Sequence, residues 1–214
     1  MSWQRLDESR FLFKVILVGN CSVGKSCMIL RATDDFFNER SLPFVTYEFR
    51  TKTVDVSGVT AKIMLWDTHG EERFRILKPS YCRGADGVLL VFDITNRKSF
   101  TDLDAWLDKV RVYLSEHTLA LLVGNKLDMA DSRVVSEVEA RQFAESAGLR
   151  YIETSVKDST NVKDMITSVA QELVERRKQN LQQQLDRDNM VHLANTRGYY
   201  SEGLCFGANT CATI

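Results

Sequence analysis

Proline is nearly absent from this chain of 214 residues; the two are Pro43 and Pro79. No internal repeat or low-complexity tract appears, which leaves out repeat arrays and disordered linkers. The five cysteines, Cys21, Cys27, Cys82, Cys205 and Cys211, are odd in number, and their spacing fits neither a disulfide framework nor a metal site. Cys21, Cys27 and Cys82 read as reduced thiols of a cytosolic protein. Charge of one sign is also lacking: 28 basic residues face 29 acidic ones, for a net charge of −1. With no run of like charge, nothing points to a nucleic acid as partner. No apolar run approaches a membrane span, and residues 1–10 are too polar for a secretory leader. What remains is ordinary for a globular protein, 44% hydrophobic and 27% charged, with a length that suits one domain plus a tail.

The most informative stretch is Gly19-Asn20-Cys21-Ser22-Val23-Gly24-Lys25-Ser26, followed by Cys27. It fits the phosphate-binding pattern GxxxxGK[ST] and follows the apolar run 13–18. A buried strand, a tight glycine-bounded loop and a helix start are what phosphate binding needs. Gly19 and Gly24 let the backbone wrap close to an anion, with its amides turned inward. Lys25 supplies a point charge for terminal phosphates, and Ser26 offers a hydroxyl to Mg²⁺.

Continuous apolar runs recur at 87–93, 119–124 and 149–153, as in strands buried on both faces. A hairpin is predicted with arms at 47–56 and 59–66, turning at Ser57-Gly58. Helical patterns fill 25–33, 101–115, 136–147 and 160–180, the last with Val162, Met165, Ile166, Val169, Ala170, Leu173 and Val174 on one face. The alternation predicts a three-layer α/β sandwich with a mostly parallel six-stranded sheet and one antiparallel hairpin strand. Ligands of such folds bind beyond the carboxyl ends of the strands.

Three further motifs fall there. Asp67-Thr68-His69-Gly70 follows the strand 63–66; its carboxylate suits a water-bridged Mg²⁺ contact, and the Gly70 amide a terminal phosphate. Asn125-Lys126-Leu127-Asp128 follows the strand 121–124. An aspartate can accept both the ring N–H and the exocyclic amine hydrogens of guanine, whereas adenine presents no such pair of donors. Thr154-Ser155-Val156-Lys157 follows a further strand; its backbone amides can reach guanine O6, and the lysine stem can lie beside the base.

In this order the elements resemble the Ras superfamily of small GTPases, over residues 11–180, and within it the Rab type. The Rab-like stretches are Trp66-Asp67-Thr68, Glu72–Arg75, Tyr81–Ala85 and Val91-Phe92-Asp93-Ile94-Thr95. The resemblance implies a P-loop NTPase G domain, GTP and GDP with Mg²⁺ as ligands, and a switch in vesicle traffic. It also implies an exchange factor, a GTPase-activating protein and effectors as partners. Phe37 takes the place of the aromatic that stacks on the base. Phe49, Trp66 and Tyr81 match the aromatic triad that meets effectors, and core packing explains the same three residues equally well.

Two departures bear on catalysis. In the first switch, Phe44 stands where the family has its Mg²⁺-ligating threonine; Thr46 is the nearby candidate, two residues on. In the second, Glu71 replaces the glutamine that orients the attacking water, and His69 replaces an alanine. An ionised glutamate accepts hydrogen bonds but cannot donate, and it sets negative charge near the γ-phosphate. Catalysis is therefore assigned to Lys25 and, in the altered role, Glu71, and hydrolysis is expected to be slow. A hydrolysis-deficient GTP-binding scaffold is the competing reading, and an ATP-using P-loop kinase a third. His69 is either a phosphate contact or an exposed surface residue.

Residues 181–214 read as a flexible tail after the domain, with 1–10 as an N-terminal extension; the helical period fades beyond 185. The chain ends Cys211-Ala212-Thr213-Ile214, which fits a prenylation box and so implies prenylation machinery and a cytoplasmic membrane surface, of endomembranes or the plasma membrane, as partners. One lipid rarely anchors durably. Arg187 and Arg197 against Asp186, Asp188 and Glu202 form no polybasic patch, which leaves Cys205 as a candidate palmitoylation site.

Overall fold

The computed structural model describes residues 10–38, 48–68, 79–115 and 117–201, with side chains from Phe11 to Arg187. The element order is β1 (Arg10–Val18), α1 (Lys25–Asp34), β2 (Phe49–Val56), β3 (Val59–Asp67), the one-turn α2 (Pro79–Cys82) and β4 (Gly87–Asp93). There follow α3 (Arg97–Thr101), α4 (Leu103–Arg111), β5 (Leu119–Asn125), α5 (Glu137–Ala147), β6 (Arg150–Thr154) and α6 (Val162–Ser201). The six strands form one sheet in the order β2-β3-β1-β4-β5-β6. Among the described residues only β2 and β3 pair antiparallel, joined through Ser57 and Gly58, both at positive φ (52° and 79°). That backbone matches the twist of a two-residue hairpin. The other neighbours are parallel, as the apolar runs predict.

Successive residues of a strand point to opposite faces, so each central strand serves two cores. On one face Phe13, Val15, Leu17, Leu89 and Val91 pack against Met28 and Ile29 of α1 and Val162, Met165, Ile166 and Val169 of α6. On the other, Ile16, Val18, Val88, Leu90 and Phe92 meet Leu103, Trp106 and Val110 of α4 and Ala140 and Ala144 of α5. Every residue of β4 is buried. Each such large apolar side chain removed from water contributes about 1.5–3 kcal/mol, which fixes the strand ends where the polar loops begin.

Helix boundaries follow local chemistry. Ser136 Oγ accepts from Glu139 N (3.2 Å) to cap α5, and Gly148 ends it in the left-handed region (φ 70°). The helix predicted over 101–115 is observed as the shorter α4, and α3, which the sequence reading did not predict, precedes it and meets it at Asp102. The helix predicted to end near 180 runs on to Ser201, so the segment from 181 begins as helix, a correction to the sequence reading. The apolar face stops there, but Leu181, Gln182, Gln183, Gln184 and Leu185 are helix-favouring residues that need no burial to stay helical.

The chain divides into two compact units, Met1–Val174 and Glu175–Ile214. In the second, Gln182 Nε2 donates to Asp186 Oδ1 (3.0 Å) along the helix, and Leu181 and Leu185 are exposed. Among the described residues no helix is long and apolar enough to cross a membrane.

Candidate nucleotide-binding site

The four segments singled out by sequence all leave the carboxyl ends of strands, from β1, β3, β5 and β6. Close backbone approach explains both glycines of the first loop. Gly19 (φ 144°) lies so near β4 that a Cβ there would stand 2.0 Å from the Val91 carbonyl oxygen. At Gly24 (φ 101°) it would stand 2.4 Å from Asn125 Nδ2. The loop leads straight into α1, whose first residue is Lys25. Lys25 is buried, its Nζ donating to the carbonyls of Gly19 (2.9 Å) and Asn20 (2.8 Å). A cation is thus held over the loop whose amides would cradle an anion.

Asp67 ends β3, is 4% exposed, and lines one small cavity with Ser26, Ile29, Leu30, Phe49, Arg50 and Leu65. Its backbone N–H donates to Glu48 O (3.0 Å), and Thr68 Oγ1 donates to Leu17 O (2.8 Å), tying the end of β3 to β1. Cys27, beside this cavity, has its thiol pKa raised by burial and by the Asp67 carboxylate, so it is an uncharged packing thiol. Buried Cys82 is likewise pushed up to about 11. Cys21 is exposed.

Asn125 is buried and acts as a tie: its Nδ2 donates to Val23 O (2.8 Å) in the phosphate loop, and its Oδ1 accepts from Thr154 Oγ1 (3.3 Å). Lys126 adopts φ 72° and pairs with Asp93 Oδ2 at 2.6 Å. Asp93 is itself fixed, since its Oδ1 accepts from Thr95 N (2.8 Å) and Oγ1 (2.7 Å). Asp128 lies in the first turn of a 3₁₀ helix (Leu127–Ser132) and is exposed, with Oδ1 accepting from Ser155 Oγ (2.7 Å). Ser155 is fully buried. Val156 turns its side chain into the first core and offers the site only its backbone. Lys157 is exposed.

Arg31 of α1 holds this last loop: Nε donates to Val156 O (2.8 Å) and one terminal nitrogen to Lys157 O (2.9 Å). The same guanidinium lies 5.7 Å from the Phe37 ring, which is half-buried against the first core. Phe37 and the 155–157 loop are thus joined through one side chain.

Asn20 is braced from the far side of the sheet. Its Oδ1 accepts from Trp106 Nε1 (2.7 Å), and its Nδ2 donates to Asp102 Oδ2 (2.9 Å). Arg31, Trp106 and Asp102 escaped the sequence reading, and Asp93, quoted there in a Rab-like stretch, was not assigned to the site. For Asp93 a signal existed: it is the one charged residue ending the wholly apolar β4, at the edge where ligands bind.

Phe49, Trp66 and Tyr81 form one aromatic row. Phe49 stacks on Trp66 (4.9 Å between centroids), and Trp66 meets Tyr81 edge-on (5.9 Å). Trp66 and Tyr81 pack against the second core, while Phe49 is 42% exposed. Lys14 Nζ lies 4.5 Å over Trp66 and donates to the carbonyls of Ser80 and Arg83 (both 3.0 Å), pinning α2 beside the row. Phe44, Thr46, His69, Gly70, Glu71, Cys205 and Cys211 lie outside the described residues.

A sheet of this order, with a phosphate loop after β1 and two polar loops after β5 and β6, is a G domain of the P-loop class. The model of the Ras family matches residues 14–175, and the chain belongs to that family. It is similar to Ras-related protein Rab-1D of Dictyostelium discoideum, 42% identical over 169 residues, covering 79% of this chain and 83% of the relative. It is also similar to GTP-binding protein YPT1 of Saccharomyces cerevisiae, 41% identical over 169 residues, covering 79% and 82%. With that membership come GTP and GDP as ligands, GTP hydrolysis as the reaction and, through the Rab likeness, vesicle traffic as the setting. Exchange factors, activating proteins and effectors follow as partners in general. No finding favours the hydrolysis-deficient scaffold, and the kinase reading ends here.

Proposed function

We propose that this chain is a Rab-type switch with tight nucleotide binding and slow unaided hydrolysis, held at the cytoplasmic face of a membrane by a lipid on Cys211. The observation that carries the nucleotide reading is the tie between the two ends of the site. Asn125, in the guanine-reading motif, donates to Val23 of the phosphate loop, so base and phosphates are received by one connected frame.

In this reading Asp128, steadied by Ser155, accepts from guanine, while the amides of Ser155 to Lys157, held by Arg31, face its O6. Phe37 and Lys126 flank the base, and Lys126 is aimed by Asp93. The loop from Gly19 to Cys27 wraps the phosphates, with Lys25 supplying positive charge. Ser26 and the water-bridged Asp67 carboxylate would hold Mg²⁺, with Thr46 as a third candidate. Ser26 and Asp67 are hard oxygen donors on one cavity. Such oxygen donors suit Mg²⁺, an ion that keeps several waters and takes phosphate oxygens. When bound, Mg²⁺ would neutralise charge on the phosphates. The row Phe49, Trp66 and Tyr81 is the surface for effectors of Rab type, since the exposed Phe49 ring is stacked on a partner fixed by Lys14.

Positioning supplies most of the catalysis in phosphoryl transfer. Glu71 lacks the donor a glutamine offers, and Phe44 lacks a hydroxyl for Mg²⁺. Single-turnover GTP hydrolysis is therefore expected at or below the order of 10⁻⁴ per second typical of unaided Ras, rising in Glu71→Gln and further when combined with Phe44→Thr. A wild type faster than the double variant would make Glu71 or His69 an active replacement. ATP displacing labelled GTP as well as GTP does would overturn the nucleotide assignment.

A further inference from the structure

The phosphate loop is fixed from two sides, and one of them has no part in the family motifs. Asn20 sits between two groups of the opposite helical layer, 82 and 86 residues away in sequence. Its side-chain oxygen takes the Trp106 indole N–H at 2.7 Å, and its side-chain nitrogen gives to the Asp102 carboxylate at 2.9 Å. Both ends of one amide are thus engaged in opposite senses, which sets its orientation. Its backbone carbonyl in turn accepts from Lys25 Nζ at 2.8 Å. Trp106 is 3% exposed and lies in the second core, with Lys109 Nζ 4.8 Å over its ring. Asp102 is the residue where α3 gives way to α4, and its backbone oxygen accepts from Trp106 N (3.2 Å). Donor and acceptor for Asn20 are therefore one turn apart on a rigid element.

We propose that Trp106 and Asp102 are positioning residues for phosphate recognition, acting through Asn20 to hold Lys25 where the outer phosphates bind. The inference rests on the reading of Lys25 as a phosphate ligand. The break between α3 and α4 acquires a purpose: it brings the Asp102 carboxylate to Asn20 while Trp106 stays in the core. The contribution falls mainly on phosphates beyond the first: Asp128 and the 155–157 loop have supports of their own in Ser155 and Arg31, and only the Asn125–Val23 bond passes part of any loosening on to the base.

The test is competition of unlabelled GDP, GTP and GMP, the last up to millimolar concentration, against fluorescent GDP on the full chain. Wild type is compared with Trp106→Phe, which keeps a ring but removes the N–H, and with Asp102→Ala, at the more exposed end of the bridge. Each variant is expected to weaken GDP and GTP about tenfold, the scale of one buried hydrogen bond left unmade, and GMP less than twofold. The preference for GDP over GMP then falls about tenfold. Equal weakening of all three nucleotides in both variants, or no weakening, overturns the proposal in favour of a packing role. If Trp106→Phe fails to fold, Asp102→Ala decides by the same ratio. A wild type with no preference for GDP over GMP sinks the Lys25 reading itself, and this inference with it.

Discussion

Asp128 combines two properties that a base-reading carboxylate needs. It is exposed to an incoming ligand, and one of its oxygens is held by Ser155 Oγ at 2.7 Å. A carboxylate fixed in this way accepts from two adjacent donors with little ordering cost on binding. Replacing it by asparagine turns one acceptor into a donor and opposes one guanine N–H. Asp128→Asn is therefore expected to move preference from GTP toward XTP by about 1–3 kcal/mol, read by nucleotide competition. An unchanged GTP-over-XTP ratio would remove Asp128 from the base contact. The supports of the 155–157 loop and of Asn20 were not legible in sequence. Arg31 meets its carbonyls 125 and 126 residues away, and Trp106 meets Asn20 at 86. The motif residues stand out because their spacing is local; their supports come from other strands and helices, where only folding brings them near.

Between elements, the end of β6 is locked to the segment that enters α5. Arg133 reaches Glu153 with two bonds of 2.7 Å, and Tyr151 Oη donates to the same carboxylate at 2.6 Å. Burial raises the Glu153 pKa, but the Arg133 fork and the Tyr151 hydroxyl outweigh it, and the net result lies below the usual 4.5. A depressed carboxylate value means stability that is fully present above the unfolded value and is lost as pH falls through the folded one. Glu153→Gln is expected to cost about 1–3 kcal/mol at pH 7, and the gap from wild type should close toward pH 3 in denaturant titrations. A gap equally wide at pH 3 would assign the effect to packing. Strand and helix identities were legible because apolar runs and 3.6-residue faces report burial directly. Two features were not: α3 is a single short turn that precedes the 101–115 pattern and is too brief to show a period, and α6 outlasts its own apolar face because helical propensity carries it on.

For the whole molecule, the question is how a domain with no membrane-crossing helix among its described residues stays where vesicles are. In the proposed reading attachment rests on one lipid at Cys211, with no basic patch among residues 181–214 to support it. One chain binds membranes reversibly, so attachment should hinge on that residue. Cys211→Ser is expected to shift the protein wholly to the soluble fraction of cell lysates, and Cys205→Ser to weaken attachment where palmitate is the second signal. An unmodified, uncleaved C-terminal peptide by mass spectrometry would rule out the lipid.

The hydrogen bond from Asn125 to Val23 carries a consequence for how nucleotide leaves. A frame in which the guanine loop and the phosphate loop share a bond does not grip two fragments separately. Guanosine and pyrophosphate bound side by side would each raise the affinity for the other, by the same factor in both directions. Dissociation then proceeds as one cooperative event: a partner that pries open either end loosens the other, and needs to touch only one.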